Sequence, residues 1–263
     1  PNGEAQKIAK QIPSNVKLID LSADFRFNNH KLYKKHYKIN HSCKSLIKKS
    51  IYSVTEFSRD KLAKYNIISC PGCYPTSVQL PLIPLLKAKL INTNKIIIDS
   101  KSGYSGAGRK IEKRLKEKNF LNSISAYGVG NHRHAPEINQ ELSKASQRKI
   151  NVHFTPHILP IYRGILSTIY LDLVKNCNAK KVYNFLKKYH KNNSFIKISK
   201  FNTSIGTADV INTNYCNISV CKSNNDKKII IISAIDNLIK GASGQAVQNM
   251  NVAYKMNENL GLL

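Results

Sequence analysis

Residues 65–90 read "YNIISCPGCYPTSVQLPLIPLLKAKL", and this stretch decides the expected fold because it joins a strand to a buried helix. The run "YNIIS" predicts a short buried strand, and the apolar run after the turn predicts a buried helix. Pro81 and Pro84 must either bend this helix or lie near its start. Cys70 and Cys73 lie in the turn, and the motif alone leaves open a redox dithiol, a nucleophile with a bystander, and two structural cysteines.

Of the two cysteines, Cys73 has the better position for chemistry. It follows a Pro-Gly turn at the start of the helix, where the positive end of the helix dipole lowers the pKa of a thiol. Cys70 ends the strand, where a cysteine commonly serves as a small core residue. A zinc clip needs a second cysteine pair with similar spacing, but Cys216 and Cys221 are separated by four residues in an apparent strand. No metal site is therefore predicted.

Outward from this stretch, strands alternate with helices early in the chain, and longer strands dominate its middle. This order predicts an α/β portion joined to an α+β portion. Residues 28–50 are basic and Tyr-rich and are expected to be irregular, whereas residues 237–256 predict one long helix. Further helices are expected at 4–12, 110–118, 134–146 and 179–190, and further strands at 16–20, 95–100, 151–174, 216–221 and 227–236.

The composition is that of a globular protein with a large basic excess. The 263 residues are 41% hydrophobic and carry a formal net charge of +27. The basic residues, mostly Lys, are spread along the chain instead of clustering with aromatic residues, so nucleic acid is not the expected partner. A positive surface would instead attract anionic substrates and cofactors. No apolar run is long enough to cross a bilayer, and six cysteines without an export signal indicate reduced thiols in the cytoplasm.

The stretch "NHRHAPEI", residues 131–138, supplies a candidate acid/base pair. His134 and Glu137 lie three positions apart, so on a helix the carboxylate can orient the imidazole. A thiolate nucleophile needs such an oriented histidine nearby. The alternative is that His132 and His134 are surface histidines near a helix cap.

The stretch "SGYSGAGR", residues 102–109, follows an expected strand and precedes an expected helix. Its glycines are Gly103, Gly106 and Gly108. Backbone amides in such a loop can hold a phosphate, and Arg109 could add a charge, although the spacing matches neither common phosphate-binding fingerprint. Arg26 and Arg163 lie at strand ends, where a guanidinium binds phosphate or forms a surface salt bridge.

Taken together, six stretches resemble the N-acetyl-gamma-glutamyl-phosphate reductase family, which is related to aspartate-semialdehyde dehydrogenase. In chain order they are "DLSADFRF", "PGCYPT", "SGYSGAGR", "HRHAPEI", "FTPHILPIYRGI" and "DNLIKGASGQAVQNMN". The resemblance implies NADPH-dependent reduction of N-acetyl-L-glutamyl 5-phosphate to the 5-semialdehyde and phosphate, in arginine biosynthesis. It further implies that the Cys73 thiolate forms a thioester, that His134 passes protons and that Glu137 orients His134. Cys70 is then incidental.

The resemblance also implies the binding residues. Arg26 would hold the substrate phosphate, and His132 and Arg163 would help to bind substrate. The residues expected to line the NADP(H) site are Ser102, Gly103, Ser105, Gly106 and Asn237. The partners implied are a small acyl-phosphate substrate and further copies of the chain, as a dimer or tetramer.

The implied fold is the C-terminal part of a Rossmann NADP-binding domain plus an α+β catalytic and dimerisation domain with a mixed, largely antiparallel sheet. The expected domains are residues 1–72, 73–235 and a returning C-terminal helix at 236–263. The Gly-rich turn that opens such a Rossmann domain is missing, and the chain does not begin with Met, so an N-terminal segment is expected to be absent.

Other functions remain open beside this one. The closest are a related reductase acting on N-acetylaminoadipyl or aspartyl phosphate, and an inactive truncated fragment. A non-catalytic basic binding module and a dithiol oxidoreductase using Cys70 and Cys73 belong to different classes. Intact Cys73, His134 and Glu137 argue against the binding module.

Overall fold

The computed structural model describes residues 2–106, 115–116 and 118–262. Gly108, Arg109 and most of the helix expected at 110–118 therefore lie outside the described residues. The chain forms two compact units, Pro1–Gly72 with Ala242–Leu263, and Cys73–Gly241. The expected division puts residues 236–241 with the C-terminal helix, whereas the structure groups them with the central unit.

Helices and strands occur along the whole of the described chain. The helices are α1 (Glu4–Ala9), α2 (His30–Tyr37), α3 (Lys44–Ile47), α4 (Thr55–Leu62), α5 (Cys73–Lys87), α6 (Ala135–Ser146), α7 (Ala179–Tyr189) and α8 (Gly244–Ala253). The strands are β1 (Leu18–Asp20), β2 (Ser50–Tyr52), β3 (Ile67–Ser69), β4 (Ile91–Gly103), β5 (Ser125–Ala126), β6 (His153–Leu159), β7 (Ile165–Leu173), β8 (Ile196–Ile198), β9 (Cys216–Lys222) and β10 (Lys228–Ile235). A 3-10 turn covers Phe120–Asn122, and a π-helical turn covers Ile239–Ser243.

The N-terminal unit contains a three-stranded parallel sheet in the order β1-β3-β2. Ile67 packs with Ala5 of α1 and Ile47 of α3, while Ile68 packs with Leu62 of α4 and Ala253 of α8. Because neighbouring residues of a strand point to opposite faces, the sheet carries helices on both sides. This layering is that of a partial doubly wound α/β domain.

The expectation that residues 28–50 are irregular is wrong, because α2 and α3 form there. Asn29 caps α2 by accepting a hydrogen bond from the Lys31 N–H. Tyr33 is fully buried, and its hydroxyl donates to Asp24 Oδ1 at 2.7 Å. The burial of Tyr33 thus stabilises α2, although the many lysines of this helix obscure the apolar periodicity by which a helix is predicted.

The central unit contains a seven-stranded sheet in the order β5-β6-β4-β7-β10-β9-β8. The pairs β4–β6 and β8–β9 are parallel, and the other pairs are antiparallel. The helix α5 packs on β4, β7 and β10, and α6 and α7 pack on α5. The expected mixed, largely antiparallel sheet is confirmed.

The helix α5 contains Pro81 and Pro84 well inside its length, not near its start. Pro84 has no N–H, so the Leu80 carbonyl loses its usual helical hydrogen bond. His190 Nε2 donates to this carbonyl at 3.2 Å. A side chain that follows α7 therefore replaces the bond that the proline removes.

Among the described residues, no helix is both long enough and apolar enough to cross a membrane. The long helix expected at 237–256 is also interrupted. It is a π-helical turn followed by α8, because the Gly241 N–H donates to the Asp236 carbonyl five residues back.

Candidate active site

Cys73 is the first residue of α5 and is partly exposed. The first turn of α5 is fixed to the sheet below it by buried hydroxyl groups. Ser77 Oγ donates to the Tyr74 carbonyl at 2.9 Å and lies 2.7 Å from Ser167 Oγ, which in turn lies 2.7 Å from Ser100 Oγ. The cysteine therefore sits at the positive end of a rigidly seated helix, where a thiolate is favoured.

Tyr74 connects the start of α5 with both histidines of the "NHRHAPEI" stretch. Its ring centroid lies 5.9 Å from that of His134 and 5.6 Å from that of His132, both edge to face. Its hydroxyl lies 2.9 Å from the Tyr127 hydroxyl. The structure thus brings the predicted base into contact with the residue next to the predicted nucleophile.

His134 and Glu137 are both buried, so His134 is not the surface histidine of the alternative interpretation. His134 precedes α6, and Glu137 lies in its first turn, with Pro136 at the helix start as expected. A fully buried carboxylate in this position is suited to orient the imidazole that precedes it.

His132 lies among aromatic rings, with its centroid 5.3 Å from Tyr127 and 4.9 Å from His134. Its Nδ1 accepts a hydrogen bond from the His134 N–H at 3.1 Å. Burial, with a smaller effect of the Arg133 charge, lowers the pKa of His132 to about 4. His132 is therefore a neutral imidazole that holds the His134 backbone.

The loop after β4 meets Asn237 in a buried polar cluster. Asn237 Nδ2 donates to Ser105 Oγ at 2.9 Å, and its Oδ1 accepts from the Gly164 N–H at 2.6 Å. A Cβ added at Gly103 would lie 2.7 Å from the Arg163 backbone nitrogen, so only glycine fits there. A Cβ added at Gly106 would lie 3.1 Å from Ser102 Oγ. The structure brings all five predicted cofactor residues together.

The phosphate-cradle interpretation of this loop is wrong for its first three amides. The N–H groups of Gly103, Tyr104 and Ser105 donate to backbone carbonyls at 2.9 Å each. Their acceptors are the carbonyls of Gly164, Ile161 and Tyr162. These amides close the loop on the β6–β7 connection and are not directed at an anion.

Arg163 is about three-quarters buried and forms an ion pair with Asp236. Its Nη1 lies 3.2 Å from Asp236 Oδ2 and also donates to Asn212 Oδ1. Asp236 is fully buried, so it fixes the direction of the guanidinium. Within the described residues, these hydrogen bonds of Arg163 use Nη1 alone.

Arg26 and Cys70 belong to the N-terminal unit. Arg26 Nε donates to the Cys70 carbonyl at 2.8 Å, and its Nη2 donates to the Leu21 carbonyl at 2.9 Å. Burial raises the pKa of the Cys70 thiol to about 12, and Asn249 Nδ2 donates to its sulfur at 3.5 Å. Such a buried, protonated thiol is a structural residue and a poor redox partner.

In the part of the chain that the structure covers, no group of three or more His, Cys, Asp or Glu is arranged to hold a metal ion. The cysteines of the rejected zinc clip make local contacts. Cys216 Sγ lies 3.4 Å from Ser233 Oγ, and Cys221 Sγ donates to the Thr203 carbonyl at 3.7 Å.

Comparison with known proteins shows the family to which the chain belongs. A family model described as semialdehyde dehydrogenase, dimerisation domain, matches residues 73–237. The chain is 43% identical over 263 residues to N-acetyl-gamma-glutamyl-phosphate reductase from Ehrlichia canis, covering 100% of this chain and 75% of that protein. The chain belongs to the N-acetyl-gamma-glutamyl-phosphate reductase family. The resemblance of the six motifs is therefore confirmed.

Other members of the reductase family match along the whole chain. Identity is 44% with N-acetyl-gamma-glutamyl-phosphate reductase from Thermoanaerobacter pseudethanolicus, over 100% of this chain and 76% of that protein. It is also 44% with the probable chloroplastic N-acetyl-gamma-glutamyl-phosphate reductase of Arabidopsis thaliana. The chain spans 66% of that plant protein and 63% of its rice counterpart.

The fold of this reductase-family chain is also found in solved structures. Aspartate semialdehyde dehydrogenase II from Vibrio cholerae, in complex with ASA, aligns with a TM-score of 0.70 at 17% identity, over 96% of this chain and 76% of that chain. A probable aspartate-semialdehyde dehydrogenase from Pseudomonas aeruginosa aligns with the same TM-score at 15% identity, over 96% of this chain and 77% of that chain. The expected fold class is thereby confirmed.

Sequence reasoning missed three residues that shape the candidate site. Tyr74 lies inside a quoted motif, but its contacts with the histidines depend on packing. Asp236 gave a weak signal, as a lone carboxylate ending an apolar strand pattern. Gly241 gave none, since the small-residue pattern around it indicated only close helix packing.

Proposed function

We propose that the chain carries the catalytic residues of an NADPH-dependent reductase that converts N-acetyl-L-glutamyl 5-phosphate to N-acetyl-L-glutamate 5-semialdehyde and phosphate. One observation carries this proposal: Cys73 begins a buried helix, and the ring of the next residue, Tyr74, contacts buried His134. A nucleophilic thiol and an oriented imidazole are the groups that acyl transfer from an acyl phosphate requires.

In the proposed reaction, the Cys73 thiolate attacks the acyl carbon of the substrate. The bond from that carbon to the phosphate oxygen breaks, phosphate leaves and a thioester remains on Sγ. His134 accepts the thiol proton before attack, and Glu137 holds the imidazole in position. A nicotinamide cofactor, when bound, would supply the hydride for the acyl carbon of the thioester. The bond from that carbon to Sγ would then break as the aldehyde forms, so Cys73 would leave as a thiolate, and His134 would return to Sγ the proton that it accepted.

Arg163 and Arg26 are the proposed anion-binding residues. Arg163 is held by a buried carboxylate through Nη1, and a guanidinium also carries N–H donors on Nη2 and Nε in the same plane, which suits it to an anion. Arg26 is fixed by two backbone carbonyls in the N-terminal unit. We assign the substrate phosphate to Arg26 and other parts of the substrate to Arg163 and His132. A neutral His132, with Nδ1 already accepting a hydrogen bond, is a donor through Nε2.

The cluster around Asn237 fits the amide end of a nicotinamide cofactor. Ser105 Oγ accepts from Asn237, so its own proton is left to donate, and Asn237 Nδ2 has a second proton. Both side chains are buried, as the polar groups of a preformed site usually are. Ser102, Gly103, Ser105, Gly106 and Asn237 would hold this group, and we propose NADP(H) as the cofactor.

A cysteine half-reaction tests the function without cofactor. Mixing the chain with N-acetylglutamyl phosphate should release one phosphate per chain and leave an acyl adduct on the peptide that contains Cys73. The Cys73→Ser variant should form no thioester adduct, and the Cys70→Ser variant should behave as the wild type. A folded wild-type chain that takes aspartyl or N-acetylaminoadipyl phosphate but not N-acetylglutamyl phosphate would reassign the substrate.

We also infer that the open face of the seven-stranded sheet pairs with a second copy of the chain. Ile97, Tyr170 and Ile230 lie opposite one another on β4, β7 and β10, on the face away from α5. Ile97 is 47% exposed and Tyr170 is 41% exposed. Such an apolar row on a sheet face is typical of an interface, and the matching family model describes a dimerisation domain.

Sedimentation of two lysine variants tests this pairing. Ile97→Lys puts a charge in the row and should shift a dimer to monomer, because a buried unpaired ammonium is costly. Leu121→Lys, at a residue 64% exposed outside the sheet, should leave the dimer intact. A wild-type monomer, or equal dimerisation of both variants, would rule out this face.

We further propose that the chain acts in the cytoplasm. All six cysteines lie in the described residues and are free thiols, which suits a reducing compartment. Fractionation of the source cells should place the protein with cytoplasmic markers; recovery in an organelle fraction would contradict this.

A further inference from the structure

Gly241 lies against Cys73 so closely that no side chain fits between them. A Cβ built on Gly241 would lie 2.7 Å from Cys73 Cβ and 3.1 Å from Cys73 Cα. It would also lie 3.3 Å from Cδ1 of Ile235. Carbon atoms pack best at about 3.5–4.0 Å, so this position accepts only hydrogen while Cys73 keeps its place.

The backbone that carries Gly241 is held by Asp236. The Gly241 N–H donates to the Asp236 carbonyl at 3.0 Å, inside the π-helical turn. The Asp236 side chain accepts from the N–H groups of Leu238 and Ile239 through Oδ1, at 2.8 and 3.2 Å. Gly241 is therefore not at the end of a loose loop, and a new atom there cannot move away without breaking this turn.

The same short segment also holds the proposed binding residues. Asp236 Oδ2 pairs with Arg163, and Asn237 bonds Ser105 and the Gly164 N–H. One run of six residues thus contacts the anion-binding arginine, the cofactor loop and the cysteine. This run directly follows β10 in the chain. The strand β10 lies next to β7 in the sheet, and α5 packs on both strands.

We propose that residues 236–241 are a positioning element that sets Cys73 relative to the binding residues, with Gly241 as its contact to the nucleophile. This rests on the proposed function, because it takes Cys73 as the nucleophile. The hydrogen bonds of Ser77 with Tyr74 and Ser167 hold the part of α5 that follows Cys73, so an atom added at Gly241 displaces the terminal residue Cys73 more readily than the rest of the helix. Sγ then loses its place at the helix terminus, and its thiolate fraction falls.

Alkylation of Cys73 by iodoacetamide, followed on the Cys73 peptide by mass spectrometry from pH 6 to 10, tests the contact without substrate. Gly241→Ala should lower the rate at pH 7 on the order of tenfold and raise the midpoint of the rate profile, since one pKa unit is a factor of ten in thiolate. Gly206→Ala is the matched control, because a Cβ there has no atom within 4 Å. It should match the wild type.

A folded Gly241→Ala chain with the wild-type alkylation profile would overturn the proposal. Normal wild-type alkylation without acyl transfer would instead count against the proposed reaction alone. If Gly241→Ala does not fold, the double variant Cys73→Gly, Gly241→Ala decides the matter, because it removes the Cβ that is struck. Recovery of folding supports the contact, and a double variant as unfolded as Gly241→Ala refutes it.

Discussion

Lowering the pH should destabilise the chain through His132, and the sign follows from its environment. Burial lowers the pKa of His132 from its ordinary value of 6.5 to about 4. Above pH 6.5 the imidazole is neutral in both the folded and the unfolded chain, so it contributes no pH dependence. Between pH 6.5 and about 4 the unfolded chain takes up the proton first, so the free energy of unfolding falls. Below about pH 4 the loss is complete.

The size of this effect follows from the two pKa values. At pH 5 the unfolded histidine is almost fully protonated and the folded one almost neutral, which removes about 2 kcal/mol of stability relative to pH 8. His132→Asn is a suitable comparison, because the Asn Oδ1 can replace Nδ1 as the acceptor of the His134 N–H. Other titrating groups, such as His36 and His41, are common to both proteins and cancel in the difference.

Urea unfolding at pH 8 and pH 5 measures the difference. The chain has 13 Tyr and no Trp, so tyrosine fluorescence reports on unfolding. The wild type should lose about 2 kcal/mol more than His132→Asn over this range, and an NMR titration of the His132 ring should give a midpoint near 4. Equal losses of stability in the two proteins, or a His132 midpoint near 6.5, would refute the assignment of a neutral imidazole to His132.

Three further changes test other parts of the structure. His190→Ala should lower the free energy of unfolding by urea by about 1–3 kcal/mol, because it leaves the Leu80 carbonyl without a hydrogen bond. Adding Pro84→Ala to this variant should recover part of the loss, because it restores a backbone N–H. No recovery would count against the replacement bond from His190. Cys70→Ser should leave the alkylation profile of Cys73 unchanged. A changed Cys73 profile in this variant would favour the dithiol oxidoreductase that uses both cysteines. Gly103→Ala should abolish NADP(H) binding in a calorimetric titration, since its Cβ would lie 2.7 Å from backbone atoms. Unchanged binding would show that this loop does not bind the cofactor.

The residue patterns predicted much of the fold because most elements have a clear local period. The apolar run after Cys73 predicted α5, and the paired β-branched runs predicted β9 and β10. The pattern failed at α2, where lysines obscure the period and the burial of Tyr33 stabilises the helix. It also failed to show that Pro84 could sit within α5, since the partner that compensates for it, His190, is remote in the chain.

The sequence by itself singled out the nucleophile and the base that we propose, because their chemistry depends on residue type and on short spacings. Cys73 begins a helix, and Glu137 follows His134 by three positions, so both features are legible within a few residues. Only the tertiary structure decided that His132 is a neutral, partly buried support and that Gly241 lies against Cys73. Those properties arise from desolvation and close packing between distant segments, which no local period records.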